Sequence, residues 1–122
     1  MLSDELKDIV DAYKDFPKEG ILFRDISPIL RNPKLFSELM KKMSQRSQLK
    51  KADCIIAVDA RGFIFGTAIS FYLSKPMIVA RKPGKLPGKL INRNYALEYG
   101  SKSLAIQVDA IKPYKSFAIV DD

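Results

Sequence analysis

Cys54-Ile55-Ile56-Ala57-Val58, then Asp59-Ala60-Arg61-Gly62, then an apolar stretch ending at Leu73, then Met77-Ile78-Val79-Ala80: the fold turns on this stretch. Its two short apolar runs are rich in β-branched residues and show no polar alternation, the pattern of strands covered on both faces. Phe63 to Leu73 is long and apolar enough for a largely buried helix, and Lys75-Pro76 closes it. Strand, helix and strand make a βαβ unit, so the two strands are expected to be parallel. A third apolar run, Phe117-Ala118-Ile119-Val120, reads as another strand covered on both faces, with a buried helical turn as the alternative that pattern alone leaves open.

Open α/β sheets bind ligands just outside the carboxyl ends of their strands. Two motifs fall there. Asp121 and Asp122 follow the last strand, and carboxylates, being acceptors only, suit sugar hydroxyls and Mg²⁺. A solvated acidic turn is the competing reading. Arg61 and Gly62, at a strand-to-helix junction, aim a guanidinium and backbone N–H groups at one point, which is a recipe for an anion site. A plain structural turn carries comparable weight.

The remaining chain frames these motifs. Residues 3 to 14 read as an amphipathic helix, with Leu6, Ile9, Val10 and Tyr13 at helical spacing and Asp4 and Glu5 at its positive end. Prolines and Gly20 break the next segment, Asp15 to Pro28, where core packing is the default for Ile21, Leu22, Phe23 and Ile26 and stacking on a nucleobase is the alternative. Asn32-Pro33 opens a second helix expected to run to about residue 48. Arg81-Lys82-Pro83-Gly84-Lys85-Leu86-Pro87-Gly88-Lys89 holds four cations that repel one another until an anion arrives, which makes it either a phosphate-closing lid or a solvated loop. Tyr95 to Tyr99 and Ser103 to Val108 read as a hairpin arm around Gly100.

The totals restrict the chemistry. A chain of 122 residues, 47% apolar and 29% charged, is one globular domain's worth. With no histidine, imidazole acid/base chemistry and His-ligated metals are excluded, so proton transfer falls to Asp, Glu, Lys or Tyr. A net charge of +7 calls for an anionic partner. The cations are spread along the chain without a zinc-finger or RNP-type motif, so phosphorylated small molecules are favoured over nucleic acid. No stretch is long and apolar enough for a bilayer, the N-terminus lacks the pattern of a signal peptide, and the lone Cys54 lies in a core run; a cytoplasmic protein is expected.

Five stretches together resemble the adenine phosphoribosyltransferases, a branch of the type I phosphoribosyltransferase family. They are Phe16-Pro17 with Gly20 to Pro28, Asp59 to Gly66, Arg81 to Gly88, Leu97 to Gly100 with Asp109-Ala110-Ile111, and Val120-Asp121-Asp122. The resemblance implies a single α/β domain over residues 1–122: a parallel sheet flanked by helices, an N-terminal helical and base-binding hood segment over 1–32, and a flexible basic loop. It also implies the transfer of a 5-phosphoribosyl group from 5-phosphoribosyl diphosphate (PRPP) to adenine, giving AMP and diphosphate in purine salvage, with Mg²⁺ and in a homodimer. Residue by residue, it implies Arg61, Arg81, Lys82, Lys85 and Tyr99 on the PRPP and diphosphate side, and Asp121 and Asp122 at the ribose hydroxyls, with Mg²⁺ carried by the substrate and those two carboxylates its candidate protein ligands. Glu98 is implied in assisting proton removal at the purine, alongside Arg61 and Arg81 as catalytic groups, and Leu22, Phe23 and Arg24 in lining the adenine pocket. In the family a glycine-rich phosphate loop and further strands follow the paired aspartates, so these 122 residues by themselves are expected to turn over little substrate. Xanthine or hypoxanthine as the base, and a nucleotide-sensing DNA-binding regulator of the same fold, are the alternatives; the absence of a recognition-helix module before residue 50 speaks against the regulator.

Overall fold

The structure, a computed structural model, describes residues 1–97 and 100–122, and its contacts fall into two units, Met1–Lys42 and Met43–Asp122. In the first unit, helix α1 (Leu2–Ile9) carries Asp4 and Glu5 in its first turn. It stops at Val10, whose extended backbone leads into strand β1 (Asp11–Lys14). The helix expected to reach residue 14 is therefore shorter. Tyr13 fits a helical spacing, but it also sits opposite Phe23 in an antiparallel pair with β2 (Leu22–Asp25), and the ladder hydrogen bonds win.

The β1–β2 connection turns at Asp15 (φ 57°), whose carboxylate accepts a 2.8 Å hydrogen bond from the Gly20 N–H. A single turn, α2 (Ser27–Leu30), follows. Helix α3 (Pro33–Ser44) then starts where the sequence places it, with Asn32 Oδ1 accepting from the Leu35 N–H at 3.1 Å as an N-cap.

In the second unit the expected continuation of that helix to residue 48 is interrupted. Arg46 is extended, and a separate helix α4 (Ser47–Lys51) buries Leu49. Lys75 Nζ, 2.5 Å from the carbonyls of both Lys50 and Ala52, satisfies the open end of α4.

The central sheet is β3 (Cys54–Val58), β4 (Met77–Ala80) and β7 (Phe117–Val120), in the order β4-β3-β7 and parallel throughout. Cys54, Ile55 and Ala57 on the middle strand are fully buried, as continuous apolar runs require. Helix α5 (Arg61–Leu73) crosses this sheet, and it includes Arg61 and Gly62, which the sequence reading left in a turn. It lies close enough that a Cβ on Gly66 would come within 2.6 Å of the Ala57 Cβ.

The edge strand departs from expectation. Ala118 and Val120 are buried, whereas Phe117 and the 72%-exposed Ile119 face a groove of about 530 Å³ lined also by Met43, Arg46 and Leu49. Strand β7 is thus covered on one face rather than both. Its entry is fixed to that of β3 by Asp53, which accepts from the N–H groups of Lys115 (2.9 Å) and Ser116 (3.2 Å).

The hairpin is longer than the sequence suggested: β5 (Leu90–Leu97) pairs with β6 (Gly100–Gln107). An antiparallel bridge between Arg81 and Ala105 ties it to the end of β4. A last turn of helix, α6 (Val108–Ile111), leads toward β7.

Candidate active site

The carboxyl ends of three parallel strands meet at one place, and each delivers charge to it. Asp59 follows β3, Arg81 follows β4, Asp121 and Asp122 follow β7, and the N-terminus of α5 adds Arg61. Arg61 Nε lies 2.6 Å from Asp122 Oδ2. Asp121 is held against the first turn of α5, since a Cβ on Gly62 would stand 3.1 Å from Asp121 Oδ1 and 2.7 Å from the Val120 carbonyl. Only a residue without a side chain lets the helix start this close to the strand end.

Arg81 is braced on three sides. Its Nε is 3.5 Å from the nearly buried Asp59 Oδ2, a charge contact that lacks hydrogen-bond geometry and leaves this buried N–H without a hydrogen-bond partner. Its guanidinium carbon lies 5.9 Å from the ring centre of Phe63, and Nη1 reaches the Lys85 carbonyl at 3.5 Å. Asp59 Oδ2 also accepts from the Lys82 N–H at 3.3 Å. Asp59 has no assigned role in the sequence analysis; a carboxylate directly following a largely buried apolar strand is the signal that singles it out.

The basic loop over residues 82–89 forms no regular element, and Gly84 (φ 80°) and Gly88 (φ 84°) supply its left-handed turns. It is fastened at its far end by hydrogen bonds from Gln107 Nε2 to the Pro87 carbonyl (3.2 Å) and from the Val108 N–H to the Lys89 carbonyl (3.0 Å). Lys82 and Lys85 are exposed on it. Arg61, Arg81, Asp121 and Asp122 are therefore brought together as expected, with Lys82 and Lys85 on the loop beside Arg81. Glu98 and Tyr99 lie outside the described residues. Among the described residues no cluster of three or more acidic, histidine or cysteine side chains is placed to hold a metal ion.

The first unit holds a different kind of site. Tyr13, Phe16, Phe23 and Asp25 line a pocket of about 210 Å³, with the Phe16 and Phe23 rings edge to face at 5.1 Å. Strand alternation puts Phe23 and Asp25 on one face and Leu22 and Arg24 on the other, so of the three residues expected at the base only Phe23 offers its side chain to this pocket. Ile21 and Leu22, 43% and 50% exposed, are not core residues. Asp25 accepts from both the hydroxyl (2.6 Å) and the N–H (2.9 Å) of Ser27, and these bonds hold its carboxyl below its ordinary pKa.

Comparison with known proteins gives a consistent result. A protein of Prochlorococcus marinus strain MIT 9215 named adenine phosphoribosyltransferase is 65% identical over all 122 residues, which span 71% of its length. One of the same name from Mycoplasma mobile is 50% identical over 98% of this chain and 68% of its own length. The crystal structure of adenine phosphoribosyltransferase from Saccharomyces cerevisiae, complexed with an imino-altritol bisphosphate and adenine, superposes with a TM-score of 0.88 at 40% identity. That match covers 99% of this chain and 71% of the yeast one. No family model matches the chain.

Proposed function

The chain belongs to the adenine phosphoribosyltransferase family, the purine-salvage enzymes that join adenine to PRPP to give AMP and diphosphate, and we propose that the strand ends of the second unit hold the PRPP while the aromatic pocket of the first takes the purine. The observation that carries this division is the meeting of Arg61, Arg81, Asp121 and Asp122 at the carboxyl ends of β3, β4 and β7.

The transfer leaves negative charge on the departing diphosphate and positive charge on the ribose ring, so cations fixed at the first and carboxylates fixed at the second lower the barrier. Arg61 and Arg81, with Lys85 from the loop, serve the diphosphate. Asp121 and Asp122 accept hydrogen bonds from the ribose hydroxyls. The loop closes over the phosphates, and Glu98 assists removal of the purine proton.

Magnesium fits this donor set. Asp121 and Asp122, the latter already paired with Arg61, would hold the ion through hard carboxylate oxygens. When bound there it would neutralise part of the leaving group's charge.

A homodimer is supported by helix α5, where Ile64, Thr67, Phe71 and Tyr72 form an exposed stripe and Phe71 is 88% exposed. Among the described residues no helix is long and apolar enough to cross a membrane. The free, buried Cys54 accords with a reducing compartment, and we place the protein in the cytoplasm.

Calorimetry with PRPP and magnesium, followed by titration with adenine, tests the assignment. Saturable heat that Arg61→Ala removes is expected. Heat that is absent in the unaltered protein, or indifferent to Arg61, overturns it.

A further inference from the structure

Asp59 touches three consecutive residues of the chain that leads into the basic loop. Its N–H donates to the Ala80 carbonyl at 2.9 Å, its Oδ2 stands 3.5 Å from Arg81 Nε, and the same oxygen accepts from the Lys82 N–H at 3.3 Å. With 8% of its side chain exposed, against 35% for Arg81, the carboxylate is the inner member of the pair. We propose that Asp59 is a positioning residue for Arg81: it turns the guanidinium outward and fixes the start of the loop, so that a ligand's phosphate oxygens meet an arginine already in place.

The shape of the guanidinium carries the argument. Its five N–H groups lie in one plane, one on Nε and four on the terminal nitrogens. Arg81 Nε is buried beside Asp59, so that edge of the fork is turned inward and the terminal nitrogens are left as the donors a ligand can reach. The main chain at Arg81 is fixed as well, since its N–H donates to the Ala105 carbonyl at 2.9 Å and its carbonyl accepts from the Ala105 N–H at 2.8 Å. An arginine held at its backbone and at Nε, with the Phe63 ring 5.9 Å away, has less rotamer freedom to lose on binding than the exposed Lys82 and Lys85. Because Arg81 Nε and the Lys82 N–H share one oxygen of Asp59, a movement of the guanidinium is also felt at the first amide of the loop. The sign of the effect separates positioning from plain charge. A carboxylate that only added negative charge beside an anion site would oppose the anion, and removing it would tighten binding. Removing a carboxylate that holds the arginine in place weakens binding instead. The proposal rests on the preceding section for the placement of the diphosphate at Arg81.

The test is calorimetric titration with PRPP and magnesium of the parent, Asp59→Asn, Arg81→Ala, which keeps Arg61, and the double variant. Asp59→Asn is expected to bind about tenfold more weakly than the parent, yet to change the affinity of the Arg81→Ala protein by less than about twofold, because it acts through that arginine. A loss of similar size in both backgrounds reports a general disturbance of the strand end, and unchanged or tighter binding in Asp59→Asn reports charge alone; either result overturns the proposal. A second measurement needs no ligand. In NMR spectra the Arg81 Nε–H, assigned by its absence from Arg81→Ala, should exchange with solvent about tenfold or more slowly than those of the exposed Arg24 and Arg46, and should lose that protection in Asp59→Asn. Exchange in the parent as fast as theirs overturns the proposal, even where Asp59→Asn does not fold. A parent that gives no heat with PRPP but protects the Arg81 Nε–H sinks the strand-end assignment and leaves the hold of Asp59 on Arg81 standing.

Discussion

Arg61 Nε and Asp122 Oδ2 are 2.6 Å apart, with the carboxylate 19% exposed and the arginine side chain 54% exposed. The pair joins the start of α5 to the end of β7, and it holds the arginine proposed for the diphosphate against a carboxylate proposed for the ribose. As a half-exposed ion pair it adds little to stability. On the proposed assignment its consequence lies in binding, because diphosphate arriving at Arg61 competes with Asp122 for the same guanidinium. Arg61→Ala removes a charge-assisted contact worth about 1.5–3 kcal/mol, or roughly ten- to a hundredfold in PRPP affinity. Asp122→Asn is expected to cost less than Arg61→Ala, since the lost acceptor is offset by an arginine released from its partner. Calorimetric titration of both single variants and the double variant with PRPP and magnesium checks this; an Asp122→Asn loss equal to or larger than that of Arg61→Ala contradicts it.

Gly62 and Gly66, one turn apart on α5, set the distance between helix and sheet. A methyl at Gly62 would lie 2.7 Å from the Val120 carbonyl oxygen, and one at Gly66 would lie 2.6 Å from the Ala57 Cβ. Neither obstacle is the far end of a flexible side chain, so the helix itself must move. Gly62→Ala and Gly66→Ala are each expected to destabilise by about 1–3 kcal/mol, as overpacking does, and Gly62→Ala additionally to weaken PRPP binding by displacing Asp121. Urea midpoints and PRPP titrations separate the two effects. Equal stability of Gly62→Ala and the parent would show that the helix start has room to spare.

Much of this was legible in the sequence, for identifiable reasons. Strands β3, β4 and β7 carry their signal in unbroken apolar runs, and those runs fix where the strand ends fall and hence where Arg61, Arg81, Asp121 and Asp122 converge. What could not be read depended on partners distant in sequence. Tyr13 satisfies helical spacing and strand pairing equally, and only the presence of β2 decides between them. The break at Arg46 has no glycine or proline to announce it; it serves the burial of Leu49. The one-sided burial of β7 depends on what packs on each face of the sheet, and the bracing of Arg81 by Asp59 and Phe63 joins residues about twenty apart in the chain.

Phe23 is the base-stacking candidate whose side chain reaches the aromatic pocket, while Leu22 and Arg24 alternate away from it. Removing its ring should therefore affect the purine and spare the sugar phosphate. Phe23→Ala is expected to weaken adenine binding by roughly tenfold, the scale of one stacking contact of about 1–3 kcal/mol, with the PRPP dissociation constant unchanged within about twofold. Arg24→Ala should leave both closer to the parent. Calorimetric titration with each substrate in turn makes the comparison, and a Phe23→Ala variant that loses PRPP affinity as much as adenine affinity would remove the pocket from consideration.

Asp53 gives the protein an acid-sensitive fastening. Its carboxylate accepts from the N–H groups of Lys115 and Ser116, and its own N–H donates to the Ser116 hydroxyl at 2.9 Å, so the entries of β3 and β7 are locked in register. The backbone N–H of Lys115, then that of Ser116, favour the ionised form and hold its pKa below the ordinary 3.8. A folded-state pKa below the unfolded one means that the unfolded chain binds the proton more readily. The resulting stability is complete above the unfolded value and is lost as pH falls through the folded one. Asp53→Asn removes this ionic contribution at neutral pH, so its urea midpoint should lie below that of the parent at pH 7. The gap should close as both are titrated from pH 5 toward pH 2. Asp25, lowered by its bonds to Ser27, adds an acid-dependent loss common to both proteins, and the difference between the two curves cancels it. A gap that stays constant over the whole range would mean that Asp53 fastens the strands through the shape of its hydrogen bonds and not through its charge.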